Sequence, residues 1–380
     1  MKLIKSVIFA CALMTLCQAK AVTIHKSYKL DDGNYRVTLT LGNKKHSTTS
    51  WVRTESRRLL LQEITTKKGE MRTISFVVHK RSPRIDDKTS VKLKDRELKY
   101  LNWDDSLTID IICDYPSLAD IKVEADTSAI TLFLCGNSTV VDQEDEPWAS
   151  WGQMIPRWFD DRISIANYAE SGERTTSFIA ANRWAKVISM AKPGDYIFVE
   201  FGHNDEKDKG AGTGAWYNFS TNLKRFIDEA RAKQCQLVLV TPTARRSFRN
   251  GLNQNTHGEY PDAAKAVAQR ERVPLIDLTE MSTTLFNAMG DEGSKKLLVH
   301  YPANSFPNQP KALADNTHFN TFGAYEISKC IVMGIKKAGL PIAQYLRNDW
   351  TDFNPAQPDN PQSWNWPAVG IADSVKPDGN

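Results

Sequence analysis

Two rhythms of hydrophobic residues divide the chain. From about residue 22 to 127 apolar and polar positions alternate: Val37, Leu39 and Leu41 share one face of "YRVTLTLG", as do Ile74, Phe76 and Val78 in "RTISFVVHK" and Leu107, Ile109 and Ile111 in "LTIDIICDY". A period of two with polar outward positions predicts half-buried antiparallel strands, and hence a β-sandwich. From 128 onward the runs are short and continuously apolar: "ITLFLC" (130–135), "YIFVEF" (196–201), "QLVLV" (236–240) and "VPLIDL" (273–278). Strands apolar on both faces belong to a parallel sheet covered by helices on each side.

Helices are predicted near 147–159, 174–191, 219–233, 261–271 and 321–338. In the last, Ile327, Ile331 and Ile335 recur every four residues, Lys336 and Lys337 oppose the negative end of the dipole, and Gly339 with Pro341 ends the element. The expected architecture is a three-layer α/β domain over 128–380, preceded by a smaller all-β sandwich over 22–127. Within 346–380 the prolines predict irregular chain, and Trp350, Trp364 and Trp366 predict that part of it packs on the α/β body.

Residues 1–21 read as a secretory signal: Lys2 and Lys5, then the apolar "LIKSVIFACALMTLC", then Ala19-Lys20-Ala21. Export past the cytoplasmic membrane, as a secreted or periplasmic protein, is the expectation. Nothing else approaches the roughly 20 apolar residues that span a bilayer, so no membrane partner is expected. Cleavage after Ala21 would remove three of the 49 basic residues and leave 46 against 45 acidic ones, a balance that calls for no nucleic acid. Cys113, Cys135, Cys235 and Cys330 remain without a C-x-x-C pair, which argues against structural zinc. Export permits a disulfide, while the apolar runs around Cys135 and Cys235 favour buried thiols.

Ligands of an open parallel sheet bind outside the carboxyl ends of its strands, so the polar residues after each apolar run are the place to seek a site. Four stretches stand out: "CGNSTVVDQ" with Ser138, "NYAESGERTTS" with Gly172, "EFGHNDEKD" with Asn204, and "DNTHFNTFGA" with Asp315 and His318. A serine needs a base to act as nucleophile at neutral pH; His318 would serve, with Asp315 on the same short loop fixing its tautomer. The N–H groups of Ser138 and Gly172, with the Asn204 amide, would form an oxyanion hole.

In this order the blocks resemble those of the SGNH (GDSL-like) hydrolases, whose four letters match Ser138, Gly172, Asn204 and His318. More narrowly, "CGNSTVVDQ", "VEFGHND" and "DNTHFNTFGA" behind a β-rich segment resemble bacterial rhamnogalacturonan acetylesterases. The resemblance implies a flavodoxin-like fold, a front segment similar to galactose-binding-like sandwiches, a serine mechanism without metal or other cofactor, and an acetylated pectin polysaccharide as substrate. One departure is Asn137, where the family usually has Asp; it keeps the turn's hydrogen bonds and removes a negative charge beside the nucleophile. An acetylxylan esterase or lipase on the same scaffold, a metal-dependent phosphoesterase and a non-catalytic glycan-binding protein are the alternatives.

Other residues carry two readings. His203 and Asp205 are metal-ligand types, but the upstream Asp-x-His and Gly-Asp-x-x-Asp elements of metallophosphoesterases are absent from the sequence. Asp205 is then expected to steady the loop that aims Asn204, and His203 to pack or to face substrate. Trp148 and Trp151 with Ile155 repeat at helical spacing, as core or as a sugar-stacking surface. Arg245 and Arg246, after a strand, are either carboxylate-binding forks or solvated surface charge. "GAGTG" (210–214) lacks the ending of a P-loop and is expected to be a flexible loop over the site.

Overall fold

The computed structural model describes residues 21–307, 309–367 and 376–378; the expected signal, apart from Ala21, lies outside them. Seven strands come first: β1 (Val22–Lys29), β2 (Gly33–Leu41), β3 (Thr48–Thr54), β4 (Arg58–Thr66), β5 (Arg72–Lys80), β6 (Ser106–Cys113) and β7 (Leu118–Ala125). They pair antiparallel in the orders β1-β6-β3-β4 and β5-β2-β7. The alternating residues read from sequence, Val37, Leu39, Leu41, Phe76, Val78, Leu107, Ile109 and Ile111, meet in one buried cluster between these two layers.

Next come β8 (Ile130–Gly136), α1 (Trp151–Met154), β9 (Ile163–Asn167), α2 (Thr175–Ala180), α3 (Arg183–Met190), β10 (Tyr196–Glu200), α4 (Ser220–Ala232) and β11 (Gln236–Val240). A small hairpin, β12 (Phe248–Arg249) and β13 (Leu252–Asn253), precedes α5 (Tyr260–Glu271), β14 (Leu275–Ile276), α6 (Leu278–Ser294), β15 (Leu298–Tyr301), β16 (Leu313–Phe319) and α7 (Thr321–Lys337). Strands β14-β11-β10-β8-β9 are parallel. Their side chains alternate between two cores. Leu132, Leu134, Phe198, Val238 and Val240 pack with the helices α1, α6 and α7, whereas Phe133, Cys135, Ile197, Val199, Leu237 and Leu239 pack with α3, α4 and α5. The fold is therefore α/β in three layers.

The sheet does not stop at residue 128. Strand β9 pairs in parallel with β5 through Val77–Ser164 and Val78–Ile165, so β5-β2-β7 continue the parallel strands as one eight-stranded sheet. Strand β9, "ISIAN", carries too short an apolar pattern to be read from sequence, yet it joins the two halves.

Several helices differ from expectation. The stretch 174–191 is two helices, because Lys92 N–H takes the Ala181 carbonyl and Asn182 turns left-handed (φ 60°). Near 147–159 only α1 is α-helical; Pro156 lacks the N–H needed to prolong it, and 155–158 tighten into a 3₁₀ turn. Helix α6, rich in Thr and Ser, shows little pattern, but Leu278, Ser282, Leu285 and Phe286 form its buried face and Asp277 caps it through Glu280 N–H. Helix α7 is capped by Asn320 on Gly323 N–H at 2.9 Å; a Cβ at Gly323 would lie 1.9 Å from the Leu297 carbonyl oxygen, so only glycine fits.

The tail beyond α7 packs through its aromatics. Trp350 lies 5.0 Å from Trp158, Trp364 lies 4.4 Å from Tyr325, and the Arg53 guanidinium sits 3.6 Å over Trp366. Cys113, Cys135, Cys235 and Cys330 are buried free thiols.

Candidate active site

The adjacent parallel strands β9, β8 and β10 deliver their following loops to one rim. The first two stay paired past their ends, through Tyr168 N–H to Leu134 O (2.9 Å) and Glu170 N–H to Gly136 O (3.2 Å). Asn204 Nδ2 donates to Glu173 O at 3.1 Å, which ties the third loop to the second. After Gly136 the chain turns so that Val140 and Val141 N–H both reach Asn137 O, and Ser138 stands on this turn.

Opposite it, β15 and β16 pair antiparallel with a break in register: Leu298 faces Phe319, but His300 faces Ala314. The intervening residues 315–318 therefore bulge out of the ladder. Asp315 Oδ1 stabilises the bulge by accepting from Thr317 N–H (2.7 Å) and His318 N–H (2.9 Å). Its other oxygen lies 2.9 Å from His318 Nδ1, and His318 Nε2 lies 2.9 Å from Ser138 Oγ. All three residues are buried. The pair thus sits on a bulged strand rather than the expected loop; the bulge throws both side chains to the same side, which a regular strand would not do.

Burial pushes the Asp315 carboxyl up, but the His318 ring and the N–H groups of His318 and Thr317 outweigh it and hold the group well below the usual carboxylate range. It stays ionised and fixes the proton on Nδ1, leaving Nε2 to accept from Ser138.

Gly172 adopts a φ of +81°, a left-handed conformation that favours glycine. Among the described residues, the N–H groups of Ser138 and Gly172 donate to no other backbone group. Asn204 is 3% exposed; Lys207 Nζ donates to its Oδ1 at 3.2 Å, and one amide N–H is spent on Glu173. Asp205 receives Thr175 N–H (2.9 Å), Thr175 O–H (2.6 Å) and Gly202 N–H (3.2 Å), which anchors the loop carrying Asn204.

Asn137 Oδ1 accepts from Thr139 N–H (3.1 Å) and O–H (2.9 Å), so the turn bonds expected of an aspartate survive. Beneath it lies Glu200, fully buried, accepting from Trp151 Nε1, Thr139 O–H and Thr243 N–H. Burial pushes Glu200 up to about 7 against these bonds. The sequence reading missed Glu200 because it ends an apolar strand.

The proposed substrate contacts fare differently. Trp148 is not on a helix; it is buried, and its ring stands edge-on to His318 at 5.8 Å. His203 is 1% exposed and packs edge-on against His257 at 4.5 Å; burial, then His257 and Arg245, push its ring well below an ordinary imidazole. It is a packed residue, not a substrate-facing one. Arg245 is committed to Glu206 (2.6 Å), His257 (3.2 Å) and the His203 carbonyl (3.1 Å). Arg246 pairs with Asp291 and donates to Asn316 Oδ1 at 3.1 Å, while its N–H reaches Asn316 O at 2.8 Å. Both arginines brace site loops instead of offering a free fork. In "GAGTG", Gly210, Gly212 and Gly214 all take positive φ before a turn at 215–219 that exposes Trp216 and Tyr217.

Residues from the front strands reach this rim and were not foreseen. Arg57, in the β3–β4 turn, donates to the carbonyls of Gln143, Glu144, Asp145 and Trp148 at 2.6–2.9 Å. Arg96 holds Glu170, and Lys94 pairs with Glu173 at 3.1 Å. The adjacent basic pair Arg57-Arg58 between apolar strands was the available signal. A cavity of about 420 Å³ lies among these groups, bounded by Arg96, Tyr100, Gln143, Trp148 and Ser171. A larger one of about 660 Å³, around Asp32 and Lys186, shares no lining residue with the Ser138 rim, so size does not decide between them.

A serine joined through histidine to an ionised aspartate, at the carboxyl edge of a three-layer α/β sheet, defines a class of hydrolase. Residues 134–324 match the GDSL-like lipase/acylhydrolase family, and the chain belongs to it; it is a serine esterase of the SGNH type. Among its relatives is the rhamnogalacturonan acetylesterase RhgT of Bacillus subtilis, 40% identical over 220 residues that cover 57% of this chain and 94% of RhgT. A second protein of that organism, the probable rhamnogalacturonan acetylesterase YesY, is 32% identical over 218 residues, 57% of this chain and 96% of YesY. The crystal structure of Bacillus subtilis YxiM shares the fold, with a TM-score of 0.51 at 22% identity over 83% of this chain and 80% of that one.

Proposed function

We propose that this carbohydrate esterase removes O-acetyl groups from acetylated rhamnogalacturonan, outside the cytoplasm, by a Ser-His-Asp mechanism. The observation that carries the reading is the unbroken hydrogen-bonded line Ser138–His318–Asp315, each link 2.9 Å. Ser138 Oγ attacks the acetyl carbonyl while its proton passes to His318 Nε2; Asp315 stabilises the imidazolium that forms. The N–H groups of Ser138 and Gly172 and the Asn204 amide receive the developing oxyanion. Collapse breaks the bond to the sugar oxygen, which takes the proton from His318. Water, deprotonated by His318, then releases acetate from Ser138.

The substrate assignment is supported by the 40% identity to an enzyme named for that activity, and the location by the leader pattern at 1–21. The deciding assay is acetate release from acetylated rhamnogalacturonan and acetylated xylan, with and without a serine-directed inhibitor. Faster, inhibitor-sensitive release from the former is expected. Equal rates on both would discard the pectin assignment, and indifference to the inhibitor would discard the mechanism.

A further inference from the structure

The two arginines first suited to a uronate carboxylate, Arg245 and Arg246, are spent on bracing loops, yet the cleft already holds a carboxylate. Asp378 pairs with Arg96 Nη1. A Cβ placed on Gly172 would lie 3.0 Å from Asp378 Cβ and 3.3 Å from Lys94 Nζ, so acid, lysine and oxyanion-loop glycine are packed together. Two residues earlier, Lys376 Nζ stands 3.5 Å from Asp315 Oδ2. The tail segment 376–378 therefore runs from the charged member of the triad to the glycine of the oxyanion loop, along the cavity walled by Trp148, Tyr100 and Arg96.

Arg96 is built to present one side only. Its Nε and Nη2 are held by Glu170 Oε1 at 3.1 and 2.6 Å, and Nη2 also reaches Ser171 O at 2.9 Å, which leaves Nη1 for the cleft. A guanidinium immobilised in this way loses little freedom when it binds a carboxylate. Residues 94 and 96 precede the start of the family match at 134, so this cationic wall belongs to the front segment.

We propose that Arg96, assisted by Lys94, is a subsite for the carboxylate of a uronic acid residue of the acetylated glycan, and that Asp378 occupies this subsite until substrate displaces it. The proposal rests on the rhamnogalacturonan reading above. It assigns to the front strands a direct part in choosing an acidic glycan over a neutral one.

The test uses the full chain and acetylated rhamnogalacturonan oligosaccharides with the galacturonate carboxyls either free or methyl-esterified. For the unsubstituted protein, KM for the free acid is expected about tenfold lower than for the ester, the worth of one charge-assisted hydrogen bond. Arg96→Gln is expected to erase that difference. Asp378 is 59% exposed in its side chain, so Asp378→Asn leaves the fold intact; it is expected to lower KM for the free acid by roughly threefold by removing the competitor. Equal KM for the two forms while acetate is still released would overturn the subsite alone, as would a preference that survives Arg96→Gln or a KM indifferent to Asp378→Asn. Absence of acetate release from both forms would instead overturn the parent reading, and this one with it.

Discussion

The two sides of the active-site cleft are built by opposite means. On the chemical side each turn is set by local contacts, since Asp315 reaches His318 three residues on and Asn137 holds Thr139 two residues on, and the two turns then meet through Ser138 and His318 across 180 residues. On the rim supplied by the front strands the contacts span the chain, 91 residues from Arg57 to Trp148 and 74 from Arg96 to Glu170. Short-range bonds fix geometry to the precision that proton transfer needs. Long-range ones from the front segment's arginines, Arg57 buried and Arg96 half-buried, fix where the loops lie and how the cleft is charged. On the function and subsite proposed above, chemistry and recognition depend on different parts of the sequence, and substitutions should separate them.

The sharpest separation comes from Ser138→Ala, expected to cut kcat for acetate release by about a millionfold without lowering stability. Residual activity near that of the unsubstituted protein would move the chemistry away from this rim. Asn204→Ala should cost about a hundred- to a thousandfold in kcat with little change in KM; an effect confined to KM would make Asn204 a binding residue instead. On the other side, Arg57→Ala removes a donor shared by four carbonyls around Trp148, and is expected to lower unfolding free energy by about 3 kcal/mol in a denaturant titration. A stable Arg57→Ala protein would show that the front strands do not brace the loop.

The smallest effect lies beneath both sides, at Glu200. Its folded pKa, about 7, exceeds the ordinary 4.5, so its contribution to stability is lost as pH rises from about 4.5 to 7 and is constant above. Glu200→Gln does not titrate. Its stability relative to the unsubstituted protein should climb across that window by on the order of 2 to 3 kcal/mol and then level. A flat difference between pH 4.5 and 8 would contradict the assignment.

The same contrast explains what could be read in advance. Period-two runs around Val37 and Ile109, the doubly apolar β8, β10 and β11, and the isoleucine ladder of α7 are local patterns, and each appears as expected. The segments bearing Ser138, Gly172, Asn204 and His318 were likewise legible, because each follows or contains a compact motif, although the one with His318 is a strand and not a loop. The bulge under Asp315 was not, since only its pairing with β15 makes it one. Arg245 and Arg246 carried the right chemistry for a carboxylate, but their partners, Glu206 and Asp291, lie 39 and 45 residues away along the chain. Helix α6 and strand β9 are held by packing rather than pattern. Arg57 and Arg96 are meaningful only once the distant loops they grip are in place.

The pairing of β5 with β9 also sets how the molecule can be cut. A fragment starting at residue 128 would keep every motif of the hydrolytic rim, yet it would bare the flank of β9, whose Ile163 and Ile165 are each 3% exposed. An uncovered apolar border of that kind seeks other chains, so such a fragment should clump on expression.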